Sequence, residues 1–276
     1  VKWAGGMLPV RGAFGAAVAC GVDLDGDGGE DALVGANWRA SYAGGVVAVW
    51  LSGARGVLRT AWVAPSVAAP VTNDNFGYSV WVGGASAGGV WEVCVGGVAR
   101  GGTGAVWVMR VNGTSETVVA ASVFVQGGSG MLIMLQAGDF FGSGIAGVGD
   151  LNCDGGVDLA VGAWGRSNQA GSVFVLLRSG GGVVVAAVEV VAPTGLTPPG
   201  SGYFGVSVAG MGDLWGDGVG DIAVGAEKNP QDVWLLELRR TGAATGRHVR
   251  VSGGSLPGGG SPTGASFGRA VARSRP

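Results

Sequence analysis

The sequence predicts an all-β fold, a β-propeller built from four complete four-stranded repeats with a spare strand at each end. Three observations support this prediction. A pattern that opens with Phe-Gly recurs along the chain, its Phe-Gly pairs lie 62 to 65 residues apart, and each period holds four short β-rich runs. A fixed period indicates a repeat architecture. One four-stranded sheet cannot bury both of its faces alone, so the units must stack, and radial stacking of such sheets makes a propeller.

The repeated pattern is complete in three places and degraded in a fourth. It reads FGAAVACGVDLDGDGGEDALVGA at 14–36, FGSGIAGVGDLNCDGGVDLAVGA at 141–163 and FGVSVAGMGDLWGDGVGDIAVGA at 204–226, and the degraded copy lies at 76–97. We expect residues 1–276 to form one propeller domain or a segment of one, with repeats at about 14–75, 76–140, 141–203 and 204–266 and a fifth beginning at 267. A seven-bladed ring at this period needs about 440 residues, so an arc cut from a larger propeller is favoured over a closed ring. A β-solenoid is the alternative, but its repeats are usually much shorter.

The β-rich runs predict the individual strands. In the third repeat they lie at 141–148, 159–161, 172–177 and 183–191. Third strands are expected at 46–51, 105–111 and 233–238, fourth strands at 59–63, 117–125 and 248–251, and the spare strands at 1–3 and 267–272. The apolar run at 131–135 is interpreted as an inserted strand rather than an apolar contact patch. Gly and polar residues bound each run, as expected for antiparallel sheets.

Composition excludes several classes of protein. Apolar residues make up 47% of the chain, which argues against disorder, and 59 glycines without a three-residue period exclude collagen. The net charge is −2 and no basic run is present, so we expect no nucleic-acid partner. No apolar run reaches the roughly 18 residues of a membrane span. Three cysteines form neither a closed disulfide framework nor a zinc-type spacing.

Acidic residues concentrate in the repeated pattern, which holds eleven of the 19 in its three complete copies. Loop A (23–31) places oxygen donors at positions 1, 3, 5, 7 and 9, and loop B (150–158) does the same. The donors are Asp23, Asp25, Asp27, the Gly29 carbonyl and Asp31 in loop A, and Asp150, Asn152, Asp154, the Gly156 carbonyl and Asp158 in loop B. Ca²⁺ takes about six to eight such oxygens. An EF-hand starts alike but needs flanking helices and a Glu at position 12, where Val34 and Val161 stand in predicted strands.

The other two repeats depart from this donor set. Loop C (213–221) offers Asp213, Asp217, the Val219 carbonyl and Asp221, but Trp215 occupies position 3 and an indole cannot bind calcium. We therefore predict Ca²⁺ in loops A and B and a weaker site in loop C. The degraded repeat has Ala85, Ala87 and Gly89 where carboxylates would stand, which predicts a metal-free turn.

These motifs resemble the FG-GAP repeats of integrin α-subunit propellers and their relatives. The resemblance is carried by Phe-Gly at 14–15, 76–77, 141–142 and 204–205, by Val-Gly-Ala at 34–36, 161–163 and 224–226, and by the acidic loops between them. It implies that each calcium loop joins the first two strands of a blade. It also implies that partners bind the opposite face, through the loops at 37–44, 99–104, 164–171 and 227–232.

Several residues in or near those loops are candidates for binding and modification. Trp38, Arg39 and Tyr42 lie in one loop, and Trp164 and Arg166 lie in the equivalent loop two repeats later. Exposed Trp, Tyr and Arg are typical binding anchors, although these side chains could equally pack over blade edges. Asn112 begins an Asn-Gly-Thr sequon, an acceptor for N-glycosylation if the chain is secreted.

The sequence offers little support for catalysis. His248 is the single histidine, so any Ser-His-Asp or multi-histidine site would depend on it. We expect a calcium-stabilised, non-enzymatic propeller of a secreted or cell-surface protein, which serves adhesion or the recognition of a protein or glycan ligand. Two alternatives stay open: an accessory propeller of an extracellular carbohydrate- or lipid-active enzyme, and a self-assembling cell-wall or matrix component.

Overall fold

The computed structural model describes residues 13–38, 43–52, 56–65, 69–86, 89–126, 133–193, 202–228, 231–252 and 268–272. Within these ranges, sixteen strands form four four-stranded antiparallel sheets, and in each sheet the strands lie side by side in chain order. The first two sheets contain β1 Phe14–Val22, β2 Asp31–Ala36, β3 Val46–Ser52, β4 Gly56–Val63, β5 Phe76–Ser86, β6 Val90–Gly97, β7 Ala105–Asn112 and β8 Thr117–Val125. The last two contain β9 Phe141–Gly149, β10 Asp158–Ala163, β11 Ser172–Arg178, β12 Val184–Val191, β13 Phe204–Gly212, β14 Asp221–Ala226, β15 Asp232–Leu238 and β16 Ala244–Ser252.

The predicted fold class is confirmed, because each sheet is a four-stranded propeller blade. The predicted strands of the four blades lie where expected, although β4 and β16 begin earlier, at Gly56 and Ala244. Helical structure in the described ranges is confined to a 3-10 turn at Arg100–Gly102 and a four-residue turn at Arg166–Gln169. Neither the 3-10 turn nor the four-residue turn comes near the length that a membrane-spanning helix requires.

Two of the strands predicted from the sequence are wrong where the structure describes them. Residues 268–272 form a turn and irregular backbone, and no strand of the described ranges pairs with them. Residues 133–135 are also irregular, because the Leu135 N–H is bonded at 2.6 Å to the Gln126 side chain instead of a neighbouring strand. The spare strand predicted at 1–3, together with Phe267 and residues 131–132, lies outside the described ranges.

The chain divides into two compact units. The first comprises Val1–Gly97 and Val108–Ser122, and the second comprises Val98–Trp107 and Val123–Pro276. The first blade belongs to the first unit, the third and fourth blades belong to the second, and the division passes through the second blade.

Burial within a blade follows the position of each strand. In the third blade every residue of β10 and β11 is buried, whereas β12 alternates towards exposed positions such as Val185 and Val191. Valine-rich and alanine-rich runs suit inner strands because neither face meets water. The core of the second unit is therefore built from these inner strands and their counterparts in the fourth blade, including Val175, Val224 and Trp234.

The Phe-Gly pairs join consecutive blades inside each unit. Phe76, Phe141 and Phe204 are at most 1% exposed, while Phe14 of the first blade is 37% exposed. The Phe141 N–H donates to the Thr103 carbonyl at 2.9 Å, and the Phe204 N–H donates to the Ala170 carbonyl at 3.1 Å. Phe141 and Phe204 thus bridge to the glycines that immediately precede β7 and β11, and Phe76 bridges to Gly44, two residues before β3.

The glycine of Val-Gly-Ala is required by a close backbone approach. A Cβ at Gly162 in β10 would lie 1.8 Å from the Gly205 carbonyl oxygen of the next blade. The same approach recurs between Gly35 and the Gly77 carbonyl, at 2.1 Å. Gly205 itself has a φ of 89°, a conformation that few residues other than glycine adopt. Close backbone contact therefore requires the glycine of Val-Gly-Ala, and the positive φ favours glycine in Phe-Gly.

We expect Gly162→Ala to lower the free energy of unfolding by about 1–3 kcal/mol, because the added methyl group must displace the Gly205 backbone. Chemical denaturation followed by tryptophan fluorescence measures this change. Gly181→Ala in the same blade is the matched control, because its Cβ would meet nothing closer than 3.8 Å and its φ is not positive. Equal stability of Gly162→Ala and the wild type would show that the approach of the two blades is loose.

Candidate metal centre

The three acidic loops occupy the same place in three blades. Each follows the first strand, and its position-9 aspartate is the first residue of the second strand: Asp31 in β2, Asp158 in β10 and Asp221 in β14. The hairpins therefore lie at one end of their blades, as the resemblance implies. The loops between second and third strands lie at the opposite end, because successive strands are antiparallel.

The aspartate at position 1 shapes each loop by accepting backbone N–H groups. Asp23 Oδ1 accepts from Gly26 at 2.8 Å and from Asp27 at 3.1 Å, and its Oδ2 accepts from Gly28 at 2.9 Å. In loop B, Asp150 Oδ1 accepts the Asp154 N–H and its Oδ2 accepts the Gly155 N–H. In loop C these N–H bonds, led by that of Gly218, lower the pKa of Asp213. The turn is therefore built from its own carboxylate and amides.

The carboxylates of loop A converge on one point. One oxygen from each of Asp23, Asp25 and Asp27 lies within 4.8 Å of the other two. Oxygens that share a calcium ion at about 2.3–2.6 Å from its centre lie at most about 5 Å apart. Three carboxylates at this spacing repel one another in the absence of a cation. The donor set of loop A thus fits a hard divalent cation.

The aspartate at position 9 ties each loop to the third strand of its blade. Asp158 Oδ2 accepts the Leu151 N–H at 2.8 Å, and its Oδ1 accepts the Arg178 N–H at 2.6 Å. Asp31 and Asp221 make equivalent pairs of bonds, and all three residues are at most 1% exposed. Burial raises the pKa of each carboxyl, and the two backbone hydrogen bonds oppose that shift. Each oxygen keeps a second lone pair with which it can accept another partner.

Loops B and C differ from loop A at position 3. In loop B the Asn152 side chain donates to Asp154 Oδ2 at 2.9 Å. In loop C the ring of Trp215 faces the Arg247 guanidinium, whose Cζ lies 5.4 Å from the ring centroid. Even so, Asp217 accepts the Val219 N–H at 2.9 Å, as Asp27 accepts that of Gly29 in loop A. The hydrogen bond between positions 5 and 7 therefore forms in all three loops, whichever residue stands at position 3.

Comparison with known proteins agrees with this architecture. No protein-family model matches the chain. Human integrin alpha-11 is 38% identical over 94 residues, which cover 34% of the chain and 8% of that protein. Integrin alpha-5 of Xenopus laevis is 40% identical over 87 residues, or 31% of the chain and 8% of that protein. Mouse integrin alpha-3 is 40% identical over 95 residues, or 33% of the chain and 8% of that protein.

The propeller blades and these relatives together identify the repeats. They are integrin-α-like FG-GAP repeats. The matched segments span only about a third of this chain and less than a tenth of the integrins. The recognition made from the motifs is thus confirmed at the level of the repeat type.

At the end opposite the acidic loops, aromatic rings connect consecutive FG-GAP repeats of the second unit. Phe140 stacks on Trp164 with ring centroids 4.3 Å apart, and Trp164 packs at 4.6 Å against Tyr203. Lys228 lies over the Tyr203 ring and bonds its hydroxyl at 2.8 Å. Phe140 and Tyr203 immediately precede the two Phe-Gly pairs, and both have φ of 55°. The Trp164 ring therefore has packing partners within the protein.

Arg166 is held in a network of acidic groups at the same end. Its Nη1 lies 2.8 Å from Asp139 Oδ2 and 2.9 Å from the Met134 carbonyl, and its Nε lies 3.2 Å from Glu189 Oε1. The acidic partners were missed in the sequence, although Asp139 precedes Phe140-Phe141-Gly142 as Asp74 precedes Asn75-Phe76-Gly77. That shared spacing was the available signal. Arg166 thus connects its own loop to β12 and to the segment that precedes β9.

Three other candidate residues, Trp38, Asn112 and His248, lie within the described ranges. Trp38 is 53% exposed, and Arg39 and Tyr42 lie outside the described ranges. Asn112 ends β7, and its Oδ1 accepts the Ser115 N–H at 2.8 Å. His248 is exposed on β16, where its Nδ1 lies 2.9 Å from the Gly246 carbonyl oxygen.

We expect Asp158→Asn to lower the free energy of unfolding by about 1–3 kcal/mol in the presence of chelator, because its amide group would face a buried backbone N–H that loses its acceptor. Asp154→Asn is the control, because Asp154 is exposed and its effect without metal should stay within about 0.5 kcal/mol. Denaturant titration in EDTA compares the two. Similar losses for both variants would argue against a structural tie at position 9.

We expect Arg166→Met to cost about 2–4 kcal/mol, because it leaves the buried Asp139 carboxylate without its counter-ion. Arg247→Met removes the same charge from an ion pair with Glu237 in which Arg247 is 59% exposed, and should cost less than about 1 kcal/mol. Thermal unfolding of both variants provides the measurement. A smaller loss for Arg166→Met than for Arg247→Met would contradict the proposed network.

Proposed function

We propose that the chain is a calcium-stabilised, non-enzymatic recognition module of a secreted or cell-surface protein. In this proposal loops A and B bind Ca²⁺, and loop C binds it more weakly because Trp215 replaces a carboxylate. The convergence of the Asp23, Asp25 and Asp27 oxygens within 4.8 Å is the observation that carries the proposal. The similarity to integrin α chains supports the recognition role.

Calcium is the cation that suits these loops best. Every donor at positions 1, 3, 5, 7 and 9 is an oxygen, and no histidine or cysteine occupies those positions. Hard cations prefer such oxygens, and calcium accepts irregular ligand sets more readily than magnesium does. Bound calcium would compensate the repulsion among the three carboxylates of loop A. Calcium modules of extracellular proteins typically bind at about 10⁻⁴–10⁻³ M, which favours a structural clamp over a sensor.

The recognition surface is proposed at the end of the blades opposite the acidic loops. Trp38 presents a half-exposed indole there, in the loop that follows β2. The rings of Phe140, Trp164 and Tyr203, with Arg166 beside them, give the second unit a rigid base of packed side chains at the same end. Loops held in one conformation lose less entropy when a partner binds. A protein or glycan ligand is the partner proposed for this face.

A non-enzymatic role agrees with the chemistry of the described residues. His248 can donate its Nδ1–H to the Gly246 carbonyl oxygen of its own strand at 2.9 Å, and its ring lies 5.5 Å from the Trp234 ring. Among the described residues, the group of three carboxylates close enough to share a cation is that of loop A. If the protein is secreted, Asn112 at the end of β7 is the proposed glycosylation site.

Calcium should raise the melting temperature of the wild type, and Asp27→Ala combined with Asp154→Ala should remove most of that rise, leaving only the contribution of the weaker loop C. At a free calcium concentration ten times the dissociation constant, each site adds about 1.4 kcal/mol to the free energy of unfolding. Differential scanning calorimetry in excess calcium and in EDTA measures the difference.

Glu30→Gln is the matched control, because Glu30 is an exposed carboxylate of loop A at position 8, which offers no ligand. Its calcium response should equal that of the wild type. A melting temperature that is the same in calcium and in EDTA would refute the calcium proposal, and the acidic loops would then be hydrogen-bonded turns alone.

A further inference from the structure

An arginine from the outer strand of the first blade reaches into loop A. Arg59 of β4 places its Nη2 3.0 Å from Asp25 Oδ2, and its Nε lies 2.6 Å from Glu116 Oε1. Glu116 stands in the turn between β7 and β8 of the second blade. The guanidinium also lies over the ring of the buried Trp50, with its Cζ 4.6 Å from the centroid. Arg59 therefore contacts a carboxylate of the acidic loop, a carboxylate of the next blade and an aromatic ring at once.

The contact with Asp25 is made to one of the three clustered carboxylates. Asp25 is only 11% exposed in its side chain, and Arg59 is 40% exposed. A positive guanidinium beside Asp25 offsets part of the repulsion among Asp23, Asp25 and Asp27. It supplies to the metal-free loop part of the charge that a bound cation would bring. A divalent cation and the Arg59 guanidinium would thus both bind the Asp25 carboxylate.

Loops B and C lack this arrangement in the contacts of the described residues. Position 3 of loop B is the neutral Asn152, which bonds within its own loop. Position 3 of loop C is Trp215, and the arginine beside it, Arg247, meets the indole ring and pairs with Glu237. Arg240 reaches loop B, but there it donates to the Cys153 thiol at 2.6 Å rather than to a predicted ligand. An ion pair on a ligand carboxylate is thus a property of loop A.

We propose that Arg59 competes with the bound cation for Asp25 and thereby lowers the calcium affinity of loop A. Binding of calcium moves Asp25 from the guanidinium to the metal, and Arg59 is left with Glu116 of the second blade. The cation site of the first blade is in this way coupled to the turn between β7 and β8. The inference rests on the proposed calcium function and adds to it a residue that sets the affinity of one loop.

The affinity of loop A is measured by calorimetric titration of the full chain with calcium. Asp154→Asn and Asp217→Asn are included in every protein so that loops B and C lose a ligand. In this background Arg59→Gln is expected to lower the dissociation constant for calcium roughly threefold to tenfold, as expected for removal of a partly exposed positive charge beside the ion. Arg110→Gln removes the same charge from an exposed position on β7 and should leave the dissociation constant unchanged.

Two further variants separate competition from a general field effect. Arg59→Lys keeps the charge but loses the planar fork that reaches Asp25 and Glu116 together, so it should bind calcium more tightly than the wild type. Glu116→Gln should weaken calcium binding when Arg59 is present, because Arg59 then pairs with Asp25 alone. The same change in the Arg59→Gln protein should have a smaller effect, and the difference between the two is the coupling. Arg59→Lys also serves if Arg59→Gln fails to fold.

The outcomes distinguish this inference from the function on which it rests. Calcium binding with equal or weaker affinity in Arg59→Gln overturns the inference and leaves the calcium function intact. Absence of calcium binding in the chain with all three loops intact, and in Arg59→Gln as well, overturns both. Binding that appears only after Arg59 is replaced supports the competition and shows that loop A is occupied only at high calcium.

Discussion

The blades depend on one steric constraint, the close approach of two glycines from consecutive repeats. In the second unit Gly162 of β10 faces the Gly205 carbonyl so closely that a Cβ would lie 1.8 Å from that oxygen. This approach brings Phe204 against the preceding blade, where its ring is fully buried and its N–H bonds to Ala170. Since a side chain at either glycine would separate the strands, the Phe-Gly and Val-Gly-Ala patterns are two halves of one contact.

The acidic loops are held by their own backbone, and this separates their shape from their affinity for a cation. Carboxylates at positions 1 and 5 accept loop N–H groups, and the buried aspartate at position 9 accepts one N–H from the loop and one from the third strand. Position 3 contributes less to that scaffold, because Asp25 and Asn152 each accept one N–H, that of position 5, at 3.2 Å, and Trp215 of loop C has no side-chain acceptor. Differences in charge at one position can therefore give three loops of equal shape different affinities.

The two ends of the blades differ in what holds them. At the end with the acidic loops, close carboxylates repel, and a counter-charge such as Arg59 reduces that repulsion. At the opposite end, ring stacking and the ion pairs of Arg166 hold the loops without any cation. In the second unit, the proposed recognition loop at 164–171 is thus held through the contacts of its own Trp164 and Arg166. The proposed calcium sites act on the other end.

The sequence by itself determined the period, the fold class, nearly all of the strands and the place of each acidic loop, because these follow from local patterns of a few residues. Only the tertiary structure decided which side chains those positions meet. Asp158 bonds to an N–H 20 residues away, Arg59 reaches Asp25 across 34 residues, and Trp164 is enclosed by Phe140 and Tyr203. The apolar run at 131–135 has the composition of a strand, but residues 133–135 do not form one. A strand also needs a neighbouring strand to pair with, and the run itself does not encode that neighbour. Contacts between distant segments depend on how the blades stack, and no local pattern encodes that arrangement.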